Sequence, residues 1–558
     1  MKIGLTKGRA MPGVPLWLTG CGDTRYGRGE SSTAVFGYIK IESILGEDMT
    51  ISKKQICQVL CVGVVMVSAN VNAQISSLGA TGWAATGTNN LGGTGTTGGD
   101  GAATAKIYNN VSTRAGLIQA LYGNTATINA NGSFSGTLDN SKKIIYITGT
   151  ISLNQNAAGT ELTANDYVTY ANAASSTCAS YGYTTFDRIW ADYLAAYKPP
   201  YSKVPPSTDP VEAARACASN QMKKNVVLTV PSNTSIIGNG ADARIIHGTL
   251  MISGTSSSAP VDNVVIRNVA FEDAFDFFTA WDPTDSGGRW NSNYDNVSIQ
   301  YATHVWVDHC TFSDGARTDD QFPSVWAAPY DGADYHVEHH DGLLDITKSA
   351  NLVTVSYNHL HDHDKSMLMG GTDTASLTAE NPGVLKTTFH HNYFQNLVQR
   401  KPRVRYGMVH LYNNYFAGSN SATVYGWLVG VTSGQGSKLY IENNVFDISG
   451  GATASDTIGA SVSSSAVTKC AALSGMSTAR CSAYIFDSGN LLNGAAVNLG
   501  ATAHSANSLV TVTTTPWSSA ANPTATPSAT PASYYNYSAD ATTNLSTAVP
   551  AAAGVGKL

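Results

Sequence analysis

One short basic segment, Gln399–Arg405, is where the residue types of this sequence most directly suggest chemistry. It reads Gln-Arg-Lys-Pro-Arg-Val-Arg and places four cations in six residues, in a chain of 558 residues that is 13% charged with a formal net charge of -6. Adjacent cations repel, and a folded domain keeps them together when an anion offsets the repulsion. The segment therefore predicts a site for an anionic ligand, and a structural cluster of salt bridges is the alternative.

Three aspartates supply a complementary group of acids. Asp341 and Asp345 stand in Asp-Gly-Leu-Leu-Asp, and Asp295 ends the segment Trp-Asn-Ser-Asn-Tyr-Asp. Hard carboxylate oxygens suit calcium, with water or substrate oxygens completing its coordination, whereas close carboxylates without a cation raise one another's pKa. Lys365 could bind a substrate carboxylate as a point charge. This combination indicates an anionic substrate held partly through a metal, and solvated loop acids are the alternative.

Further residues near these groups have less specific patterns. Arg403 and Arg405 are two positions apart and would share one face of a strand, while Pro402 excludes a regular helix. His361 and His363 stand in His-Asp-His-Asp-Lys and suggest a transition-metal site. Because both alternate with Asp and no third imidazole has suitable spacing, we instead expect them in a turn between two coils of the fold.

The elements that must position these residues are short β-type segments that alternate apolar and polar residues. Their ends lie 22 to 48 residues apart, which is typical of a solenoid with loops of variable length. Signals for tight hairpins are sparse. We therefore expect an all-β fold, a right-handed parallel β-helix with long loops, preceded by a short helix over Thr113–Leu121. The repeated segments are 264–271, 305–312, 353–360, 387–394, 409–416 and 439–446.

A column of polar residues recurs at one register of these repeats. Asn358, Asn392, Asn414 and Asn444 share that register with Cys310. Side chains stacked at a spacing of ~4.8 Å on successive coils can form an asparagine ladder that satisfies backbone groups at the turns. We therefore assign these asparagines a structural role.

The beginning of the chain predicts export. Met49 opens a segment with two lysines, a mostly apolar stretch and Val-Asn-Ala at 71–73, which is the pattern of a secretion signal. We expect residues 49–73 to be a signal peptide, residues 1–48 to be a mis-called extension, and residues 74–558 to be the secreted catalytic domain. No run of 18 or more apolar residues occurs, so we expect no membrane span.

The cysteines fit an exported protein, because export permits disulfides. Five of the eight cysteines lie after residue 73. We expect Cys178 to pair with Cys217 and Cys470 with Cys481, because each pair closes one local loop, and we expect Cys310 to be a buried free thiol. The first pair would lie in a partly helical insertion over residues 160–222.

Four motifs together resemble polysaccharide lyase family 1, and its pectate lyases in particular. They are Val-Trp-Val-Asp-His at 305–309, Asp-Gly-Leu-Leu-Asp at 341–345, Lys365 and the basic segment 399–405, and their order and spacing match. The resemblance covers essentially all of residues 74–558. It implies a right-handed parallel β-helix, calcium dependence and cleavage of (1→4)-α-D-galacturonan by β-elimination.

The resemblance also implies individual roles, carried over position by position. Asp295, Asp341 and Asp345 correspond to calcium ligands, and Arg400 corresponds to the general base. Lys365 and Arg405 correspond to residues that bind substrate carboxylates. A structural role is implied for Trp306, Asp308 and His309.

We therefore expect a secreted, calcium-dependent pectate lyase that binds polygalacturonate or pectin as a monomer, and neither nucleic acid nor a membrane. An arginine base must be neutral when it takes a proton, and the pKa of an arginine exceeds ~12, so we expect an alkaline optimum. Three alternatives stay open. They are a calcium-independent pectin lyase, a polygalacturonase that hydrolyses through clustered aspartates, and a non-catalytic β-helical polysaccharide-binding protein.

Overall fold

The computed structural model describes residues 79–100, 104–285, 287–518 and 529–558, and their strands stack into the coils of a parallel β-helix. Equivalent residues of successive coils are register partners, as when Val305 pairs with Val264 of the preceding coil and Val353 of the next. Three long sheets result, with eleven, ten and eight strands. The parallel β-helix expected from the sequence is confirmed.

The three sheets are called first, second and third below, and two short antiparallel pairs accompany them. The first sheet contains strands Lys106–Val111, Lys143–Ile147, Thr234–Gly238, Val261–Arg267, Ala302–Asp308, Asn351–Ser356, Lys386–His390, Met408–Tyr412, Lys438–Glu442, Ala483–Ser488 and Val510–Val512. The second contains Thr150–Ser152, Arg244–Ile246, Ala270–Glu272, Thr311–Ser313, His359–Lys365, Tyr393–Gln399, Tyr415–Ser419, Val445–Ser449, Leu491–Leu492 and Ala495–Ala496. The third contains Val227–Thr229, Thr249–Ser253, Val297–Gln300, Leu344–Thr347, Leu368–Met369, Arg403–Val404, Val431–Gly434 and Ile458–Ser461. The short pairs are Thr127–Ile128 with Phe134–Ser135 and Ala280–Asp282 with Arg289–Asn291.

Helices lie outside the coils, and the first of them confirms the helix expected near the start of the domain. The hydroxyl of Thr113 accepts a hydrogen bond from the N–H of Gly116 at 3.1 Å, which caps helix Arg114–Tyr122. The insertion expected over residues 160–222 is helical. The α-helices are Arg114–Tyr122, Ala164–Ala174, Ser176–Ser180, Phe186–Tyr197, Pro210–Val226, Ala454–Thr457, Ser464–Ala471, Thr478–Cys481, Leu499–Ala506 and Leu545–Ala552. The 3-10 helices are Gly82–Ala85, Gly123–Thr125, Asp319–Gln321, Ala333–Tyr335, Pro531–Ser533 and Thr542–Asn544.

The core fills the interior of the coils with aligned apolar side chains. Phe394, Phe416 and Phe446 occupy one column, with ring centroids 4.6 Å and 4.4 Å apart and nearly parallel planes. Each stacked pair is worth about 0.5–1.5 kcal/mol beyond the burial of its area. Such columns fix the register of the strands, and thereby the positions of the polar side chains that project outward from the third sheet.

The asparagine ladder is confirmed and is longer than expected. Side-chain oxygens of Asn358, Asn392, Asn414 and Asn444 each accept the backbone N–H of the residue one coil earlier, at 2.8–3.0 Å, beginning with the N–H of Cys310. The ladder continues through Asn490, whose Oδ1 lies 3.0 Å from the N–H of Asn444. All these asparagines are fully or almost fully buried, so the ladder supplies partners that water cannot.

The expected cysteine arrangement is also confirmed. Cys178 forms a disulfide with Cys217 and Cys470 with Cys481, while Cys310 is a buried free thiol. Among the described residues, no helix is long and apolar enough to cross a membrane. The signal peptide expected at 49–73 and the extension expected at 1–48 lie outside the described residues.

Candidate active site

Neighbouring coils of the third sheet bring the three aspartates together. Asp345 lies in strand Leu344–Thr347, and its register partner is Ser298 of the preceding coil. Asp295 precedes that coil's strand, and Asp341 precedes the strand that holds Asp345. Because Asp341 and Asp345 flank the start of one strand and Asp295 flanks the start of its neighbour, all three carboxylates lie at one end of these strands.

Two of these carboxylates lie close against the backbone of Gly342. A Cβ atom built on Gly342 would lie 2.7 Å from Oδ1 of Asp295 and 2.8 Å from Oδ1 of Asp345. Among the described residues, Oδ1 of Asp295 is buried without a hydrogen-bond partner. An orphaned buried oxygen is costly, so this set of oxygens fits a cation.

The electrostatics of the three aspartates also favour a cation. Burial raises the pKa of Asp295 well above its ordinary value, and the charges of Asp345 and Asp341 raise it further. Burial and Asp341 together raise the pKa of Asp345 to about 7. For Asp341, burial again raises the pKa, while the charges of Lys365 and Arg400 act in the opposite direction. A bound cation would offset the repulsion that these carboxylates exert on one another.

A cavity of about 340 Å³ adjoins the aspartates. Its wall is formed mainly by the third sheet and combines the acids with amide, hydroxyl and lysine side chains. This polar wall suits a ligand rich in oxygen atoms. The lining residues are Lys223, Val227, Thr249, Met251, Asn293, Tyr294, Asp295, Ser298, Gln300, Asp341, Asp345, Thr347, Lys348, Leu368 and Gly371.

Lys365 ends strand His359–Lys365 of the second sheet, and its register partner is Gln399. Its Nζ lies 3.0 Å from Oε2 of Glu338, in an ion pair whose side chains are only 12% and 3% exposed. Sequence reasoning missed Glu338. No local pattern marks it, because the loop between strands Thr311–Ser313 and Leu344–Thr347 brings it to the lysine.

The basic segment separates into side chains with different surroundings. Arg400 follows Gln399 directly, adopts a left-handed backbone conformation with φ of 58°, and its Nε is buried without a hydrogen-bond partner among the described residues. Lys401 is fully buried instead. Its Nζ donates to the carbonyl of Leu397 at 2.5 Å and lies 3.0 Å from the ring centroid of Trp427. Lys401 is therefore part of the core, and Arg400 remains available to the site.

The two remaining arginines of the segment, Arg403 and Arg405, form hydrogen bonds with other protein groups. Arg405 is 8% exposed, and its Nε lies 2.5 Å from Oδ1 of Asp373 while its Nη1 donates to the carbonyl of Gly370 at 3.0 Å. Arg403 donates from Nη2 to the hydroxyl of Ser461 at 3.2 Å. Burial and the charges of its arginine neighbours lower the pKa of Arg403 to about 10. A bound anion would offset the charges that these arginines exert on one another.

The expectation for His361 and His363 is wrong. Both lie within strand His359–Lys365 and not in a turn, because the alternating pattern continues through the aspartates between them. His363 is buried, with Nδ1 2.6 Å from Oδ1 of Asp314 and Nε2 3.1 Å from the carbonyl of Asp341. Both ring nitrogens of His363 thus hold the loop that carries Asp341.

The motif containing Trp306, Asp308 and His309 is placed away from these groups, on the first sheet. Asp308 is 2% exposed and lies 2.7 Å from Nε of Arg267, and its other oxygen accepts the hydroxyl of Ser356 at 2.6 Å. The indole of Trp306 donates to the same hydroxyl at 2.9 Å. These contacts join adjacent coils, in agreement with the structural role implied for the motif.

Comparison with known proteins gives a consistent result. The family model described as pectate lyase matches residues 206–558. A pectate lyase of Bacillus subtilis is 39% identical over 410 residues, which cover 73% of this chain and 82% of the relative. The solved structure of a pectate lyase from Acidovorax avenae subsp citrulli is 46% identical with a TM-score of 0.78, covering 87% of this chain and 96% of that one. A pectate lyase bound to hexasaccharide is 35% identical with a TM-score of 0.63, covering 86% and 97%.

The parallel β-helix with carboxylates and cations gathered on one face is an architecture that this chain shares with solved pectate lyases. The family match covers more than half of the chain, and the Bacillus subtilis relative and the Acidovorax structure are matched over 82% and 96% of their lengths. The chain belongs to the pectate lyase family. The enzyme class expected from the four motifs is thereby confirmed.

Proposed function

We propose that this enzyme cleaves (1→4)-α-D-galacturonan, the de-esterified form of pectin, by calcium-dependent β-elimination that releases unsaturated oligogalacturonates. The observation that carries the proposal is the meeting of acids and cations in one place. The charge of Asp341 raises the pKa of both Asp295 and Asp345, while the charges of Lys365 and Arg400 act on Asp341 itself. A polyanionic chain bridged by a cation would satisfy both groups.

Calcium fits the residues present, and we assign Asp295, Asp341 and Asp345 as its ligands. All three offer carboxylate oxygens, which calcium prefers. Support comes from the orphaned Oδ1 of Asp295 and from the close approach of two of the carboxylates to Gly342, where only a glycine fits without moving their oxygens. When bound, calcium would withdraw electron density from a substrate carboxylate and so make the C5 proton beside it more acidic.

We assign Arg400 as the general base. It follows Gln399, the register partner of Lys365, so base and carboxylate-binding lysine lie on adjacent coils. Its Nε has no hydrogen-bond partner among the described residues, so that nitrogen is not engaged by another protein group. Arg400 would take the C5 proton, the C–H electron pair would form the C4–C5 double bond, and the C4 glycosidic oxygen would leave and take a proton from water.

We assign Lys365 and Arg405 to the binding of substrate carboxylates. Glu338 holds Lys365 at 3.0 Å and thereby restricts where its ammonium group lies. Asp373 holds Arg405 in the same way, although its own side chain is 53% exposed. A uronate entering the site would share both cations with these acids, and such preorganisation lowers the cost of ordering them on binding.

We further propose that residues 49–73 direct export, that residues 1–48 precede the true start, and that the secreted monomer is residues 74–558. Pectate is an extracellular polymer, so the signal pattern at Met49 agrees with the proposed substrate. N-terminal sequencing of protein secreted by the host should begin at Gln74. A secreted chain that retains residues before Met49 would contradict this assignment.

The test of the reaction is an assay with polygalacturonate, with calcium or with a chelator, that follows both ultraviolet absorbance and reducing ends. The proposal predicts unsaturated, ultraviolet-absorbing product with calcium, and its loss with chelator. Methylated pectin serves as the comparison substrate. Reducing ends without absorbance would indicate hydrolysis, and calcium-independent cleavage of methylated pectin would indicate a pectin lyase.

A further inference from the structure

A second group of titratable side chains lies beside Lys365, and only one of its members, Glu338, has a part in the proposed reaction, where it positions Lys365. It consists of Asp319, His336 and Glu338 and is called the His336 cluster here. Asp319 opens the 3-10 helix Asp319–Gln321, and the other two follow the 3-10 helix Ala333–Tyr335. One ligand atom from each of the three lies within 4.8 Å of the other two. The cluster mixes one imidazole with two carboxylates.

The distances inside the His336 cluster match those between ligands of one small ion. Nε2 of His336 lies 3.6 Å from Oδ2 of Asp319 and 3.6 Å from Oε2 of Glu338. A tetrahedral ion with bonds of ~2.0–2.1 Å separates its ligands by about 3.4 Å. The two distances from Nε2 of His336 are within a few tenths of an ångström of that value, and the ligand atoms of Asp319 and Glu338 lie within 4.8 Å of each other.

A second observation is that one buried oxygen of Glu338 lacks a partner. Oε1 of Glu338 is buried without a hydrogen-bond partner among the described residues, and the side chain is only 3% exposed. Its other oxygen already faces Lys365 at 3.0 Å. A carboxylate buried this deeply is normally satisfied on both oxygens, so Glu338 is left needing a further donor or a cation. Asp319 and His336 are 15% and 18% exposed, which leaves a route for an ion to enter.

The charges around the cluster act differently on its two carboxylates. Burial and the charges of Glu338 and Asp314 raise the pKa of Asp319 to about 7. Burial also acts to raise the pKa of Glu338, but Lys365 and His336 outweigh it and lower that pKa. A neighbouring trio, Asp314, Asp319 and His340, shares Asp319. There Nε2 of His340 lies 2.8 Å from Oδ1 of Asp273, while its buried Nδ1 has no partner among the described residues and lies 3.7 Å from Oδ1 of Asp314. A carboxylate on the far nitrogen is the usual support of a metal-binding histidine.

We propose that Asp319, His336 and Glu338 bind a divalent d-block cation, of which Zn²⁺ and Co²⁺ are representative, at a site separate from the three aspartates. Imidazole with carboxylates suits such ions, whereas calcium takes oxygen ligands. Three protein ligands leave the fourth position to water. The site does not depend on the proposed reaction, although it shares Glu338 with Lys365.

The test is a titration of metal-free, full-length protein with Co²⁺ alone, followed by the visible absorption of tetrahedral Co²⁺ and by calorimetry. We expect one equivalent to bind to wild type and Zn²⁺ to displace it. His336→Gln and Glu338→Gln should each weaken Co²⁺ binding at least tenfold. His336 is partly exposed, so its variant should fold even if the Glu338 variant does not, and circular dichroism checks both.

Two control variants separate this site from the other candidates. Asp295→Asn alters the aspartate group and should leave Co²⁺ affinity within twofold of wild type. His504→Gln removes a histidine of helix Leu499–Ala506 whose Nδ1 faces the carbonyl of Val510, and it should also have no effect. The proposal is overturned if Co²⁺ does not bind, if both cluster variants bind it like wild type, or if Asp295→Asn abolishes binding.

Discussion

Replacing Gly342 with alanine tests the assigned calcium site without removing any ligand. The new Cβ would lie 2.7 Å from Oδ1 of Asp295 and 2.8 Å from Oδ1 of Asp345, so both oxygens must retreat by roughly 0.5 Å or more to reach ordinary contact distance. Calcium–oxygen bonds span only about 2.3–2.6 Å. Because two of three ligands leave that window, we expect calcium affinity to fall ~10–100-fold, or about 1.4–2.8 kcal/mol.

The assay is calorimetric titration of chelator-treated protein with calcium, supported by the calcium concentration that gives half-maximal lyase activity. Gly371→Ala is the matched control, because Gly371 lines the same cavity and its new Cβ would approach an oxygen of Glu380 no closer than 3.3 Å. We expect that control to bind calcium within about twofold of wild type. A Gly342→Ala variant that folds and binds calcium as tightly as wild type would refute the assignment of these aspartates.

Three further predictions concern the pH dependence of stability, the asparagine ladder and the binding of substrate by Arg405. Without calcium, the raised pKa of Asp345, about 7, means that the folded chain keeps a proton which the unfolded chain loses above about pH 4. The thermal stability of protein freed of calcium by a chelator should therefore fall between about pH 4 and 7. The fall should be smaller in Asp345→Asn, and a rise in wild-type stability would contradict the prediction. Asn414→Ala removes the acceptor of the N–H of Asn392 and should cost about 2–4 kcal/mol in chemical denaturation, and a cost near zero would exclude the ladder from stability. Arg405→Lys keeps the charge but loses the planar contacts to Asp373 and Gly370, so KM should rise roughly tenfold with kcat little changed; an unchanged KM would remove Arg405 from substrate binding.

Features that repeat along the chain could be predicted from the sequence. The alternating segments indicated stacked coils, and the shared register of Asn358 and Asn392 indicated a ladder, because neighbours in a solenoid repeat the same local geometry. Asn490 was missed because the strand that follows it, Leu491–Leu492, pairs only two residues with the preceding coil and adds little to the repeated pattern. The disulfides followed from loop closure alone.

Features that depend on loops or on depth of burial could not be predicted from the sequence. Glu338 reaches Lys365 through a long loop whose path has no periodic signal. Lys401 looks like its arginine neighbours in the sequence, yet its ammonium group is buried against Trp427. His363 was assigned to a turn because its neighbours in the sequence are polar, yet the strand continues through them.

The central claim is that Arg400 takes the C5 proton of a uronate held at the three aspartates. The most direct measurement compares kcat, calcium affinity and oligogalacturonate affinity in Arg400→Ala and wild type, at saturating calcium and alkaline pH. We predict that kcat falls by about 10³-fold or more while both affinities stay within about threefold. A variant that retains more than a tenth of wild-type kcat would contradict the assignment of Arg400 as the base.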